Sequence, residues 1–401
     1  MKVFGCCIFL LCFFSSCVEE FRLKPSRASV EKQLVIQGRI AAGDKSIIYV
    51  SYSQPLGEYK QAEKVLDAQV RIVGQNGYLG VLAEYDEENG CYWIDSKELP
   101  DDTMYALQVE VNNESYQSEY LSLLDTPEIE NVTYKEHGDG ISIHVQTKGC
   151  ENSSSHYMWS YEEDWESHAS VDITKIPEDL CWYEPEIYPI PFSDEYNPYY
   201  YCWGHSVSSD ILIYSTETLQ ENVLDIELLR IPVYDVRISY IYSVLVKQFS
   251  LSDEAYHYYR TLEKLSEENS GLFAPMPSEL KGNVTCISNP NIPVQGYVLA
   301  ANIQSKRIYI YESDFKEIVS EYNTLGCLWE KPDLSDENWR WKWIDLIDSG
   351  ALVVAKYGKW QPYENPAHFM NSVLYRRPCV DCRLGDRATK KRPDFWPNNH
   401  E

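Results

Sequence analysis

The sequence predicts a mainly β protein. An N-terminal Ig-like or transthyretin-like β-sandwich is followed by a larger β-rich domain with one helical insertion and a disulfide-tied C-terminal tail. Three observations predict this. Short apolar runs alternate with polar residues at period two and are separated by turn residues. Tyr is abundant, at 32 residues, with Gly and Pro scattered through the chain, a balance that suits sheets. One stretch, Ser252 to Gly271, carries the spacing and end signals of a helix.

Taken in order, the chain opens with Lys2 and an apolar run from Val3 to Phe14, broken only by Gly5. That run is shorter than the roughly 20 residues a membrane-spanning helix needs. Behind a single positive charge it reads as a secretory signal, residues 1–16, removed on maturation. Phe14-Ser15-Ser16-Cys17 fits a bacterial lipobox: a bulky apolar residue, two small ones, then cysteine. An ordinary signal with an incidental cysteine is the plainer alternative. Acylated at its thiol and new amine, Cys17 anchors the protein in a membrane, each buried CH₂ contributing about 0.8 kcal/mol. Val18-Glu19-Glu20 resembles the surface-export signal of Bacteroidota lipoproteins. Arg22–Glu31 is polar, with Pro25 and no periodicity, so residues 17–31 read as lipid anchor and tether.

Strands are expected at Leu34–Ile36, Ile47–Val50 and Val70–Ile72, with a turn at Gln75-Asn76-Gly77. Tyr105, Leu107, Val109 and Val111 share one strand face, and Gln108 and Glu110 the other. These define a sandwich over 32–124. Thr126-Pro127 marks the boundary to a second domain, 125–401. Its strands are expected from Ile129, at Ile141–Val145, at Tyr157–Tyr161, at Asp210–Tyr214 and at Tyr240–Val246. Leu219–Asn222 reads as a loop. The helix, near 253–270, has Ser252 as cap and Asp253 and Glu254 at the positive end of its dipole. Strands return at Gly296–Ala300, Arg307–Tyr311 and Ala351–Val354, with a short helix around Phe315–Glu321 and a Trp-rich run at Trp339–Trp343.

Composition limits the function. A formal charge of −27 argues against nucleic acid, whose phosphates need basic patches, and against electrostatic docking on anionic lipid. Cys6, Cys7 and Cys12 leave with the signal and Cys17 takes lipid. The remaining cysteines, 91, 150, 181, 202, 286, 327, 379 and 382, are even in number and permit disulfides outside the cytoplasm. Cys379 and Cys382 form C-x-x-C without the second ligand pair of a zinc ribbon or the βαβ context of a redox motif. Structural disulfides are expected: one of the pair with Cys327, and Cys181 with Cys202.

Tyr157–Trp203 holds thirteen aromatics and eleven acids with Lys175 as its one strong base, so it is the stretch most suited to ligand or partner contact. Trp182, Tyr183, Tyr199 and Tyr200 are the candidate exposed contacts. The plainer reading has Trp159 and Trp165 in a core and the acids on a solvated loop. Glu162-Glu163-Asp164 and Asp86-Glu87-Glu88 lack calcium-loop spacing and read as solvated. There is no G-x-S-x-G, H-E-x-x-H or phosphate-binding glycine loop. Gly204–Ser208 misses a nucleophile elbow because Ser208 replaces the second Gly. No catalytic residue, metal or cofactor is assigned.

Several of these blocks resemble the Bacteroidota outer-membrane lipoproteins carrying domain of unknown function 4249. Leu34–Ile40 (LVIQGRI), Ala68–Ile72, Tyr105–Val111, and Tyr201-Cys202-Trp203 ahead of Asp210–Tyr214 match in order. So do Tyr242–Ser250 with Ser252–Tyr256, and Asn289–Tyr297. The terminus, Cys379-Val380-Asp381-Cys382-Arg383 with Gly385 and Pro393-Asp394-Phe395-Trp396, is the most specific match. Asp386 departs from it. The resemblance implies a surface lipoprotein of the outer membrane, accessory to a TonB-dependent receptor in nutrient uptake, and implies no reaction. The expected function is therefore non-catalytic binding of a glycan or peptide substrate, or of the receptor. The alternatives are a surface hydrolase of glycan or peptide, acting through a carboxylate pair, and a structural envelope protein.

Overall fold

The computed structural model describes residues 32–53, 62–87, 89–100, 102–149, 154–172, 200–208, 211–219, 223–268, 280–318, 327, 337, 338, 342, 345, 346, 351–356, 373–384, 388, 389 and 391–397. The signal, Cys17, the tether, Cys181, Trp182, Tyr183, Tyr199 and, of the Trp-rich run, Trp339, Trp341 and Trp343 lie outside them.

Strands β1 (Leu34–Ala42) and β2 (Lys45–Tyr52) form an antiparallel hairpin, edged by β3 (Glu63–Lys64). β4 (Gln69–Gly74) crosses to a second sheet, while β5 (Glu84–Asp86) and β6 (Cys91–Asp95) return to β2. β7 (Met104–Val111), β8 (Glu114–Ser118) and β9 (Leu121–Ser122) complete the chain's first pass. Asn112 and Asn113 join β7 to β8 with φ of 54° and 63°. Two positive-φ residues make the turn whose twist matches the strands, and Asn tolerates that conformation.

Period-two alternation sends Leu34, Ile36, Ile48 and Val50 from one sheet against Val70, Ile72, Leu107 and Val109 from the other. Each such side chain, fully buried, contributes about 1.5–3 kcal/mol. Tyr92 enters the same core because its hydroxyl is satisfied, donating to the Val65 carbonyl and accepting from Ala68 N–H, both at 2.9 Å.

The second half is also two layers. β10 (Ile129–His137), β11 (Gly140–Lys148) and β15 (Val223–Pro232) form a three-stranded sheet. It packs on β12 (His156–His168), β14 (Leu212–Ser215) and β16 (Ile241–Leu251), and β13 (Tyr201–Val207) pairs with β12 beyond them. Helix α1 (Asp253–Glu268) follows, and Ser252 Oγ accepts the Ala255 N–H at 3.2 Å, the expected cap.

The chain then runs through β17 (Val284–Cys286), β18 (Val294–Gln295) and β19 (Val298–Tyr311). The two strands expected at 296–300 and 307–311 are therefore parts of one 14-residue strand from Val298, and Gly296 precedes it. Its first part pairs parallel with β1, from Gly38↔Val298 to Ala42↔Asn302. Its second part pairs antiparallel with β16, from Phe249↔Ile303 to Ile241↔Tyr311. β19 thus fuses a sheet from each half into one, ordered β22-β13-β12-β16-β19-β1-β2-β6-β5, where β22 is Ala388–Thr389. β20 (Leu352–Lys356) and β21 (Val373–Arg376) form a separate hairpin.

The sandwich expected over 32–124 is consequently incomplete on its own. β17 extends its second sheet, and Val284, Cys286, Val298 and Ala300 belong to its core. Gly296 shows why the late segment docks so closely. It has φ +107°, and a Cβ there would lie 2.0 Å from the Ile36 carbonyl oxygen.

No helix occupies 315–318, where the short helix was expected. A 3₁₀ turn at Glu312–Asp314 stands before it, and the Glu136 carboxylate accepts the N–H groups of Lys316, Glu317 and Ile318 instead. A side-chain acceptor of three consecutive donors removes the need for a helical partner.

The tail is tied back by two disulfides. Cys327–Cys379 is one of the bridges expected. Cys202 bonds Cys382, not Cys181 as expected. The bridge spans 180 residues because β22 pairs with β13, which carries Cys202.

Candidate functional site

β12 organises the outer face of the fused sheet. Its odd residues Tyr157, Trp159, Tyr161 and Trp165 enter the second core, as the plainer reading of the aromatic segment had it. Its even residues Glu162, Asp164 and Glu166 face the opposite way. The run Glu162-Glu163-Asp164 is therefore not a solvated loop. Each acid is partnered across the sheet.

Glu162 meets Lys247 at 3.0 Å, and Lys247 also holds Asp44 at 2.6 Å. Asp164 accepts from Arg307 and from the His205 ring, both at 2.8 Å. Burial pushes the Asp164 carboxyl up, but these two hydrogen bonds outweigh it and hold the group below its ordinary range. Glu163, on the core side, accepts from Arg237 at 2.7 Å and from the Tyr242 hydroxyl at 2.8 Å. Burial, and then Glu163, drive the Tyr242 phenol well above its usual pKa. Glu166 meets the His168 ring at 2.6 Å and accepts from Trp396 Nε1 at 2.8 Å.

Beside this polar row, where β1, β2 and β6 join β12, β16 and α1, lies a cleft of about 810 Å³. Its size is that of a small-ligand site, and its walls are mixed in the usual way. Aromatic rings come from Tyr49, Trp93, Phe249 and Tyr259, and aliphatic surface from Ile47, Met158, Leu262 and Leu299. Lys45 Nζ sits 4.0 Å over the Trp93 ring. Cys91 also lines the cleft as a free thiol. Burial raises its pKa, which keeps it protonated and a poor nucleophile.

Arg39 is the unusual member. It lies on β1, between Gly38 and Ile40, with its side chain on the face opposite Ile36 and Ile40. Its guanidinium lies 5.0 Å from the Phe249 ring, and its Nε is buried with no hydrogen-bond partner. Burial lowers its pKa, against Tyr49, Asp44 and Glu162, which raise it. Both carboxylates are already engaged by Lys247.

Of the four candidate contact residues, only Tyr200 is described, and it is not an exposed rim residue. It is half-buried, packed on the Cys202–Cys382 bridge and tilted against His168 at 4.9 Å. Gly204–Ser208 lies mostly on β13, a strand, so it makes no strand-to-helix elbow. Sequence reasoning missed Arg39. The available signal was a strong base beside Ile40 in a strand whose one other polar residue is Gln37. Among the described residues no group of three metal-binding side chains is found.

No curated protein matches the sequence. Solved structures match weakly. Escherichia coli alpha-2-macroglobulin activated by porcine elastase is 10% identical over 56% of this chain and 19% of its own, with a TM-score of 0.20. A two-domain fibronectin type-III segment of chicken tenascin is 8% identical over 55% of this chain and 92% of its own, with a TM-score of 0.16. The chain thus spans about a fifth of the macroglobulin's length, and neither score supports a shared fold. The sequence itself is decisive: residues 18–307 match the family model described as Domain of unknown function (DUF4249), and the chain belongs to that family.

Proposed function

We propose that this protein is a non-catalytic lipoprotein of the outer membrane, facing the cell exterior and anchored through acylated Cys17. In this reading it binds substrate, or the transporter itself, as an accessory subunit of a TonB-dependent uptake system. The observation that carries the reading is the cleft where the two sheets merge. It offers aromatic and aliphatic walls and a guanidinium without a carboxylate partner, while Glu162 and Asp164 beside it are held by Lys247, Arg307 and His205. A glycoside hydrolase needs one carboxyl kept protonated opposite a second that stays ionised. Asp164, held below its ordinary pKa by His205 and Arg307, suits recognition instead.

The test is purification of the tagged protein in mild detergent from its own outer membrane, with mass spectrometry of what remains bound. A stoichiometric TonB-dependent receptor is the expected result. A protein that arrives alone, and without acyl chains on Cys17, overturns the reading.

A further inference from the structure

We propose that the cleft binds short peptides by their free C-terminal carboxylate, with Arg39 as the anchoring residue and the last, apolar side chain held in the aliphatic wall. The inference rests on the binding role proposed above and names the ligand class for that site.

Three observations carry it. Arg39 presents a planar fork of donors matched to a carboxylate, and its Nε is buried without a partner. Arg39 as a whole is half-buried, so a carboxylate in the cleft meets the fork by its terminal nitrogens. The carboxylates nearest in charge cannot complete it, because Asp44 and Glu162 converge on Lys247 at 2.6 and 3.0 Å. The side chain is also positioned from behind, since the Phe249 ring lies 5.0 Å from the guanidinium carbon and Phe249 is buried.

The surroundings then choose among anions. Ile47, Met158, Leu262 and Leu299 line the same cleft and give an apolar side chain a surface that a uronic acid has no such group to fill. A peptide terminus carries its carboxylate and its side chain on one carbon, so the first reaches Arg39 while the second enters the apolar wall. Asp86 and Glu162 lie on the same lining and disfavour a second negative charge. They suit the N–H donors of the peptide backbone instead. A cleft of about 810 Å³ accommodates a ligand of a few residues.

The experiment uses the full-length lipidated chain in detergent. The probe is a pooled set of N-acetyl tripeptides ending in Phe, Leu or Met, offered either with a free carboxylate or as the C-terminal amide. Binding is read by native mass spectrometry and confirmed by calorimetry on the best member. The expected result is binding of the acids at least tenfold tighter than of the amides, and a loss of at least tenfold in Arg39→Met with partial recovery in Arg39→Lys. Equal binding of acid and amide to the unaltered chain overturns the proposal, and this comparison needs no variant to fold. Binding of a trigalacturonate probe in place of the peptides, or of neither probe, also overturns it. Co-purification of the receptor is read separately, so failure of the ligand class leaves the uptake role to its own test.

Discussion

The indole Nε1 of Trp396 donates to the Glu166 carboxylate at 2.8 Å, joining positions 230 residues apart. Trp396 is buried with Trp203 and Ile241, and the Tyr309 hydroxyl donates to the Phe395 carbonyl at 2.9 Å. Arg307 stacks 3.8 Å over the Phe395 ring. The closing Pro393-Asp394-Phe395-Trp396 motif is thus a plug on the outer face of β12 and β19. Trp396→Phe keeps an aromatic ring but removes the donor and some volume, leaving a buried carboxylate short of one partner. A destabilisation of about 1.5–3 kcal/mol is expected, measured by denaturant unfolding against the unaltered chain.

The two bridges are predicted to differ in strength. Cys202–Cys382 closes a separation of 180 residues and Cys327–Cys379 one of 52. In the chain-entropy account the longer loop stabilises more, here by about 1 kcal/mol. The double variant Cys202→Ser/Cys382→Ser should therefore melt below Cys327→Ser/Cys379→Ser in matched thermal scans. The reverse order would show that packing around the bridges outweighs loop entropy.

Gly204 is fixed by its neighbour rather than by its own backbone. A Cβ there would lie 2.1 Å from the Trp165 indole, which is buried. Gly204→Ala forces that ring to shift in a filled core, and a loss of about 1–3 kcal/mol is expected. Trp165 fluorescence should move with the stability loss; an unchanged spectrum and melting curve would contradict the contact.

Acid stability follows from Asp164. Its folded pKa lies below the ordinary value of 3.8. Its stabilisation is therefore complete above the unfolded value and is lost as pH falls through the folded one. Asp44 and Asp381 are shifted the same way, so they share the window below about pH 4. Asp164→Asn should cost about 2 kcal/mol at neutral pH, because Arg307 and His205 lose a charged acceptor. It should also make the acid limb shallower. Unfolding midpoints measured from pH 7 down to pH 2 test both, and an acid limb as steep as that of the unaltered chain would count against Asp164 as a contributor.

What could be read in advance depended on how far apart the partners lie. Tyr105, Leu107 and Val109 announce their strand because alternation is local, and Ser252 announces α1 for the same reason. The C-x-x-C segment predicts its bridge to Cys327, which the structure contains. The nearness of Cys181 to Cys202 predicts the wrong bridge, because nothing local reports that β22 lies beside β13. Three consecutive acids look solvated in a string of letters. On a strand they point alternately, and their cations, Lys247, Arg237 and Arg307, come from segments that are distant in sequence. Arg39 is illegible for a related reason, since its environment is assembled from β2, β12, β16 and α1.

The shared strand β19 has a consequence for the order in which the protein can form. Residues 34–124 are made first, yet β1 has no neighbour on its β19 side until residues 294–302 exist. An N-terminal fragment therefore presents an open sheet edge and part of a core, which favours mispairing over independent folding. Such long-range pairing also slows closure. As the chain emerges from a ribosome or a translocation channel, its earliest segment must wait for β19, and both halves then lock in one event.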